Sequence, residues 1–204
     1  MSENYTGTKF NTIIESKFYP SQKEKKIILD LIEVGKRLAK LGCIDENGGN
    51  FSFRVKRGVI IKTTGSFPHK LKMNDFVLLT KYEKDKVFIL GNKEPSSEAR
   101  LHLEIYKKRA DINCILHSHD FIVVKSKQKL NEIAYVKELP YGTLKSAKAA
   151  SLASLKSDYI VLKNHGVIAL AKTTNKAYNL IKKYHEKFKG FSQSSAKNCR
   201  AKEK

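Results

Sequence analysis

The chain has 204 residues, enough for one domain with a sizeable core, and its 41% hydrophobic content is that of a globular protein rather than a disordered one. Its net charge of +20 admits a nucleic-acid or membrane-surface partner, but the basic residues are overwhelmingly Lys and spread along the whole chain. Without an Arg-rich block, an RNA-binding aromatic signature or a helix-turn-helix pattern, a generically basic surface fits better than a dedicated nucleic-acid face.

No apolar run approaches the ~20 residues of a membrane-spanning helix. The chain opens on polar Met1-Ser2-Glu3-Asn4-Tyr5 with no apolar stretch behind it. Cys43, Cys114 and Cys199 are widely spaced and form no Cys-x-x-Cys, which suits free thiols in a reducing cytosol. The expectation is a cytoplasmic protein with no membrane partner.

Residues 1–20, polar with scattered aromatics and ending at Pro20, read as an extended arm. Ser21 with Glu24 is a capping-box pattern, and Ile27, Ile28, Leu31, Val34 and Leu38 follow helical spacing up to Gly42. Asp45 to Asn50 is a dense turn signal. Short strands follow at 51–55, 59–62, 76–79 and 87–90, a strand-rich meander broken by the Thr63-Thr64-Gly65-Ser66 loop. Pro95-Ser96-Ser97-Glu98 predicts a second helix, with serine caps and an acid in its first turn. Ile112 to His119 reads as a strand, and Phe121 to Val124 as a short apolar piece before a charged stretch. A turn at Pro140-Tyr141-Gly142, an Ala-rich helix from Ser146 to Leu155 and strands at 159–162 and 167–170 come next. Thr173 or Thr174 caps a last helix with Ala177, Leu180, Ile181, Tyr184 and Phe188 on one face, and the Ser/Lys-rich stretch from Gly190 reads as a mobile tail. The division expected is an arm at 1–20, one domain at 21–189 and a basic flexible tail at 190–204. The fold class expected is α/β in the layered α+β sense, with helices covering a central, mostly antiparallel sheet.

His117 and His119 carry the most chemical information. Side chains alternate along a strand, so the two imidazoles share a face while Ser118 points away. Two imidazoles on a rigid face need further ligands to hold a metal, and His165 and Glu98 are the candidates for a tetrahedral or slightly expanded zinc site. His69, His102 and His185 read as structural histidines. Gly49-Asn50, Thr64-Gly65 and Ser96-Ser97 each offer backbone N–H groups or hydroxyls, and together they describe a cradle for the phosphate of a polyol or sugar.

In chain order, Gly49-Asn50-Phe51-Ser52, Thr64-Gly65, Leu71 with Asn74-Asp75-Phe76-Val77, Pro95-Ser96-Ser97-Glu98, His102, Tyr106, His117-Ser118-His119 and Asn164-His165-Gly166 cover roughly residues 22–188. This ordered set resembles the class II aldolase/adducin family. The resemblance implies a central antiparallel sheet flanked by helices and a homotetramer with active sites between subunits. It implies Zn2+, or another divalent metal, on His117, His119 and His165, with Glu98 as fourth ligand or acid/base. It further implies that Gly49, Asn50, Thr64, Gly65, Ser96 and Ser97 hold the substrate phosphate. The activity implied is a zinc-dependent lyase reaction, cleavage of a short phosphorylated ketose such as fuculose 1-phosphate through a metal-stabilised enediolate. The same fold also serves sugar-phosphate epimerases, dehydratases and decarboxylases, and a non-catalytic adducin-like binding module is the third reading. The connection from His119 to His165 is shorter than in family aldolases, which carry a second proton-transfer residue there. Tyr135 and Tyr141 are the candidate stand-ins, and no Tyr follows Tyr184.

Overall fold

The structure, a computed structural model, describes residues 8–202, with side chains described for 8–193. Among these residues nine strands form one sheet: β1 (Asn11–Ser16), β2 (Asn50–Val55), β3 (Gly58–Lys62), β4 (Phe76–Glu83), β5 (Lys86–Leu90), β6 (Cys114–Ser118), β7 (Ala134–Val136), β8 (Tyr159–Leu162) and β9 (Gly166–Ala171). Their order is β1-β5-β4-β3-β2-β6-β9-β8-β7. The inner pairs are antiparallel, and only the outermost pairs, β1 with β5 and β7 with β8, are parallel.

Helices cover both faces. On one lie α1 (Gln22–Leu41) and α5 (Thr174–Lys202), with the short α3 (Phe121–Val124); on the other lie α2 (Ala99–Lys108) and α4 (Leu144–Ala153). This explains why the strands read as continuous apolar runs rather than alternating ones. Ile60, Leu78 and Leu116 join Ile28, Leu31, Ile181 and Phe188 in one core layer. Their neighbours Ile61, Leu79 and Ile115 join Ile105, Ala150 and Ile168 in the other.

The α1 capping box is formed as the sequence suggests: the Glu24 N–H donates to Ser21 Oγ and the Ser21 N–H donates to Glu24 Oε2. Gly42 closes the helix in the left-handed region, at φ 79°. Thr173 Oγ1 accepts from the Lys176 N–H at the start of α5.

The structure corrects three local expectations. Asn11–Ser16 is an edge strand rather than a free arm, held by parallel pairing with β5; the arm's residues 1–7 lie outside the described residues. Its side chains are almost all exposed, so no apolar alternation marked it. Second, α5 passes through Gly190 to Lys202, so the backbone there is helical where a mobile tail was expected; residues 203 and 204 lie outside the described residues. Third, the α2 cap position is Glu98 itself, not a serine, and its carboxylate makes no capping bond. That carboxylate is turned instead toward three imidazoles.

Among the described residues, no helix is long and apolar enough to cross a membrane.

Candidate metal centre

The β6 strand ends at Ser118, with His117 as its penultimate residue and His119 just past its end. His117 faces the same side as Ile115, toward α2. Its Nδ1–H donates to the Val167 carbonyl of β9 at 3.0 Å, which fixes the tautomer and leaves the Nε2 lone pair pointing inward. His165 arrives from the β8–β9 turn, where Asn164 adopts a positive φ of 60°. Gly166 then lets this turn lie flat against the site: a Cβ there would stand 2.5 Å from the Ser118 carbonyl oxygen and 2.7 Å from His117 Cε1. Gly48 makes the same concession on the other side, where a Cβ would stand 2.5 Å from His119 Nδ1.

The three rings pack edge to face, with centroids 4.8 Å apart for His117 and His165, 5.2 Å for His117 and His119, and 5.3 Å for His119 and His165. One nitrogen from each lies within 4.8 Å of the others. Glu98 completes the group, with Oε2 3.2 Å from His117 Nε2 and Oε1 3.7 Å from His165 Nε2. His117 Nε2 and Glu98 Oε1 are buried and make no hydrogen bond. A buried acceptor without a donor costs about 1–3 kcal/mol. Two such acceptors aimed at one point are what a divalent cation would satisfy, so the residues present fit the group.

Electrostatics agrees with the geometry. Burial pushes the His117 imidazole down to about 3 and the His119 imidazole down to about 4, against the opposing pull of the Glu98 carboxylate. Burial alone would raise the Glu98 carboxyl; the facing His117 and His165 and the Asn50 amide outweigh it and hold Glu98 below the usual carboxylate range. At neutral pH His117 and His119 are therefore neutral imidazoles beside the Glu98 carboxylate, the protonation state that metal ligation needs.

A cavity of about 350 Å³ opens beside this group. Gly49, Asn50, Thr64, Gly65, Ser96 and Ser97 all line it, together with Glu98, His119 and His165. His117 sits behind them, fully buried. Gly49 and Gly65, at φ 83° and 70°, turn their loops around the cavity edge. Of the two candidate tyrosines, Tyr141 lines the cavity with its ring 6.3 Å from that of His165. Tyr135 does not line it; its hydroxyl accepts from the Leu130 N–H. Arg100 fixes the Tyr141 turn by donating to the Gly142 carbonyl at 2.8 Å.

One residue escaped the sequence reading, and another was read there only as structural. Lys62, at the end of β3, lines the cavity although its side chain is almost wholly buried, and burial pushes its ammonium down to about 8 against the charges of Asp75 and Glu98. His102 is the other. Asn50 Nδ2 donates to Glu98 Oε2 at 2.8 Å, so its Oδ1 faces His102 Nε2 in a short contact. His102 therefore donates from Nε2 and accepts at Nδ1 from the Ser52 hydroxyl, 2.7 Å away. A signal existed: Asn50 and Ser52 share a strand face, and His102 lies one helical turn past Glu98.

The model of the class II aldolase and adducin N-terminal domain matches residues 29–189. An L-fuculose phosphate aldolase of Methanocaldococcus jannaschii is 33% identical over 172 residues, 78% of this chain and 91% of that one. A 5-deoxy-D-ribulose 1-phosphate aldolase of Bacillus thuringiensis serovar kurstaki is 30% identical over 175 residues, 78% of this chain and 79% of that one. The solved sugar-phosphate aldolase of Thermotoga maritima has the same fold, with a TM-score of 0.75 at 20% identity, over 84% of this chain and 96% of that one. With the family model spanning most of the domain and relatives at this level along most of its length, the chain belongs to the class II aldolase and adducin family.

Proposed function

We propose that this protein is a zinc-dependent aldolase that cleaves a short ketose 1-phosphate, fuculose 1-phosphate or a 5-deoxypentulose 1-phosphate, into a three-carbon keto phosphate and an aldehyde. One observation carries the reading: the three histidines and Glu98 stand at the wall of the same cavity that Asn50, Thr64, Gly65, Ser96 and Ser97 line. His117, His119 and His165 would hold the metal, with Glu98 as fourth ligand or beside it. A divalent ion there supplies Lewis-acid stabilisation of the negative charge that develops on the substrate oxygens when the carbon–carbon bond breaks.

The rest falls to the chain's own groups. The backbone N–H groups and hydroxyls of the three polar loops, with the Lys62 ammonium, orient the phosphate and so place the ketose end against Glu98. Cleavage needs the hydroxyl whose carbon becomes the aldehyde to give up its proton, and Tyr141 is the cavity tyrosine that would relay it, passing its own phenol proton on as it accepts. The bonding pair is left on the carbon next to the ketone, and that carbon must gain a proton. Glu98, a carboxylate shielded from solvent and gripped by Asn50, is the carrier: it takes up the proton that the hydroxyl releases and delivers it to that carbon. Family membership also supports a homotetramer in the cytoplasm with the cavity near a subunit boundary. The exposed Phe67 beside the Thr64-Gly65-Ser66 loop suits such a boundary.

The test is turnover by zinc-loaded protein on a panel of ketose 1-phosphates, read as aldehyde release. Wild type is expected to release aldehyde. Glu98→Gln is expected to lose turnover by ~10²–10⁴-fold with its fold intact, the range of a removed proton carrier. Formation of an epimer or a dehydrated product without aldehyde, or normal turnover in Glu98→Gln, would overturn the assignment.

A further inference from the structure

Cys43 follows the Gly42 cap of α1, Asp120 follows His119, and His185 lies on the buried side of α5; all three side chains are buried in the α1/α5 layer. His185 Nδ1 stands 3.0 Å from Asp120 Oδ2 and 3.2 Å from Cys43 Sγ, and Cys43 Sγ stands 3.5 Å from Asp120 Oδ2. As a hydrogen-bonded cluster this is one proton short. Three contacts share two protons, the thiol S–H and one imidazole N–H, because the carboxylate supplies none. A further polar atom is stranded nearby. The Tyr159 hydroxyl is buried without a hydrogen-bond partner, and burial first, then the charges of Asp120 and Cys43, oppose its ionisation.

We propose that Cys43, Asp120 and His185 form a second, structural metal site, distinct from the three-histidine centre, that takes a small thiophilic divalent ion such as Zn2+. The three donor atoms lie on a circle of about 1.9 Å radius, so an ion just off their plane meets all of them at ~2.0–2.3 Å, the lengths of Zn–O, Zn–N and Zn–S bonds. A thiolate, a carboxylate and a neutral imidazole cancel a divalent charge, which makes the loaded cluster neutral and therefore tolerable in a core. On loading, the thiol proton leaves to solvent and the imidazole proton moves from Nδ1 to Nε2, which frees the Nδ1 lone pair for the metal. Sulfur ligation selects zinc-like ions over magnesium or calcium. Asp120 is already oriented, since its Oδ1 accepts from the Val123 N–H at the start of α3. The Tyr159 hydroxyl is the candidate for a fourth position. Such an ion would pin the end of α1 and the middle of α5 to the segment that carries His119.

Cobalt separates the two sites, because only this one contains sulfur. The full chain, in a Cys114→Ala, Cys199→Ser background, is refolded from denaturant with Co2+, since the site is buried. Two Co2+ per chain are expected, with a thiolate-to-cobalt charge-transfer band in the near ultraviolet. His117→Ala should keep the band; Cys43→Ala should lose it together with one equivalent of metal. One equivalent and no such band would overturn the proposal. Should Cys43→Ala fail to fold, alkylation of Cys43 in the unaltered chain under mild denaturant decides: ~10-fold or greater protection by zinc over chelator is expected, as for metal binding coupled to folding. Equal rates would overturn it.

Discussion

At the scale of single residues, the cavity-lining Asn50 is held by two groups that do not line the cavity, His102 and Ser52. Asn50 can hold Glu98 only while its amide stays flipped the right way, and His102, locked by Ser52, dictates that flip. Replacing His102 with Ala leaves the Asn50 carbonyl without its buried partner, at about 1–3 kcal/mol, while the Ser52 hydroxyl keeps its contact with the Tyr106 hydroxyl. The expected result is a fall in kcat of ~10-fold or more, as for removed partners behind a ligand shell, with substrate KM changed much less. Steady-state kinetics at fixed metal loading checks this, and a KM effect alone would remove His102 from the positioning role. Lys62 predicts the opposite split. Its ammonium, pushed down to about 8 by burial, is present below that pH and lost above it. KM for a phosphorylated substrate should therefore rise as pH climbs through 8, while Lys62→Met should show a high KM that no longer responds to pH there.

At the scale of elements, what the sequence made legible was whatever leaves a periodic or chemical trace. The α1 cap, the inner strands and the pairing of His117 with His119 on one face all follow from local pattern. β1 was not legible, because an edge strand with both faces exposed carries no burial pattern and is held by its backbone pairing with β5. Glu98, read from the sequence as a candidate ligand, was misplaced by one helical position, since its residue type suits the first turn whereas the structure sets it at the cap, with its carboxylate against His117 and His165. Lys62 and His185 were passed over because a lone Lys or His carries no sign of what it will be buried against. Two element-level predictions follow from the geometry. Gly166→Ala would drive a methyl into the Ser118 carbonyl and the His117 ring, so metal content should fall together with the melting temperature. Glu24, capping α1 and doubly bonded to Arg57, has its carboxyl held down at about 2, first by the Arg57 hydrogen bond. A depressed folded value means stability that is present above about 4.5 and lost as pH falls toward 2. Arg57 is half exposed, so solvent screening limits the amount to about 1–2 kcal/mol. Urea unfolding at pH 6 and pH 3 should show that the loss specific to Glu24 disappears in Glu24→Gln.

At the scale of the molecule, a net charge of +20 surrounds the cavity proposed to take a phosphate. The two contributions act over different distances. A buried Lys62 is barely screened by salt, whereas the surface lysines act through solvent, where the Debye length shrinks from about 30 Å at 0.01 M to about 3 Å at 1 M. Raising NaCl across that range should therefore lower kcat/KM for a phosphate dianion several-fold, through capture rather than chemistry, and leave kcat nearly constant. In Lys62→Met the absolute kcat/KM should be lower at every salt concentration, yet its slope against ionic strength should match that of the wild type, because the distant lysines are untouched. If the slope flattened in Lys62→Met, the local ammonium would be supplying the field, and the basic surface would have to be explained by some partner other than the substrate.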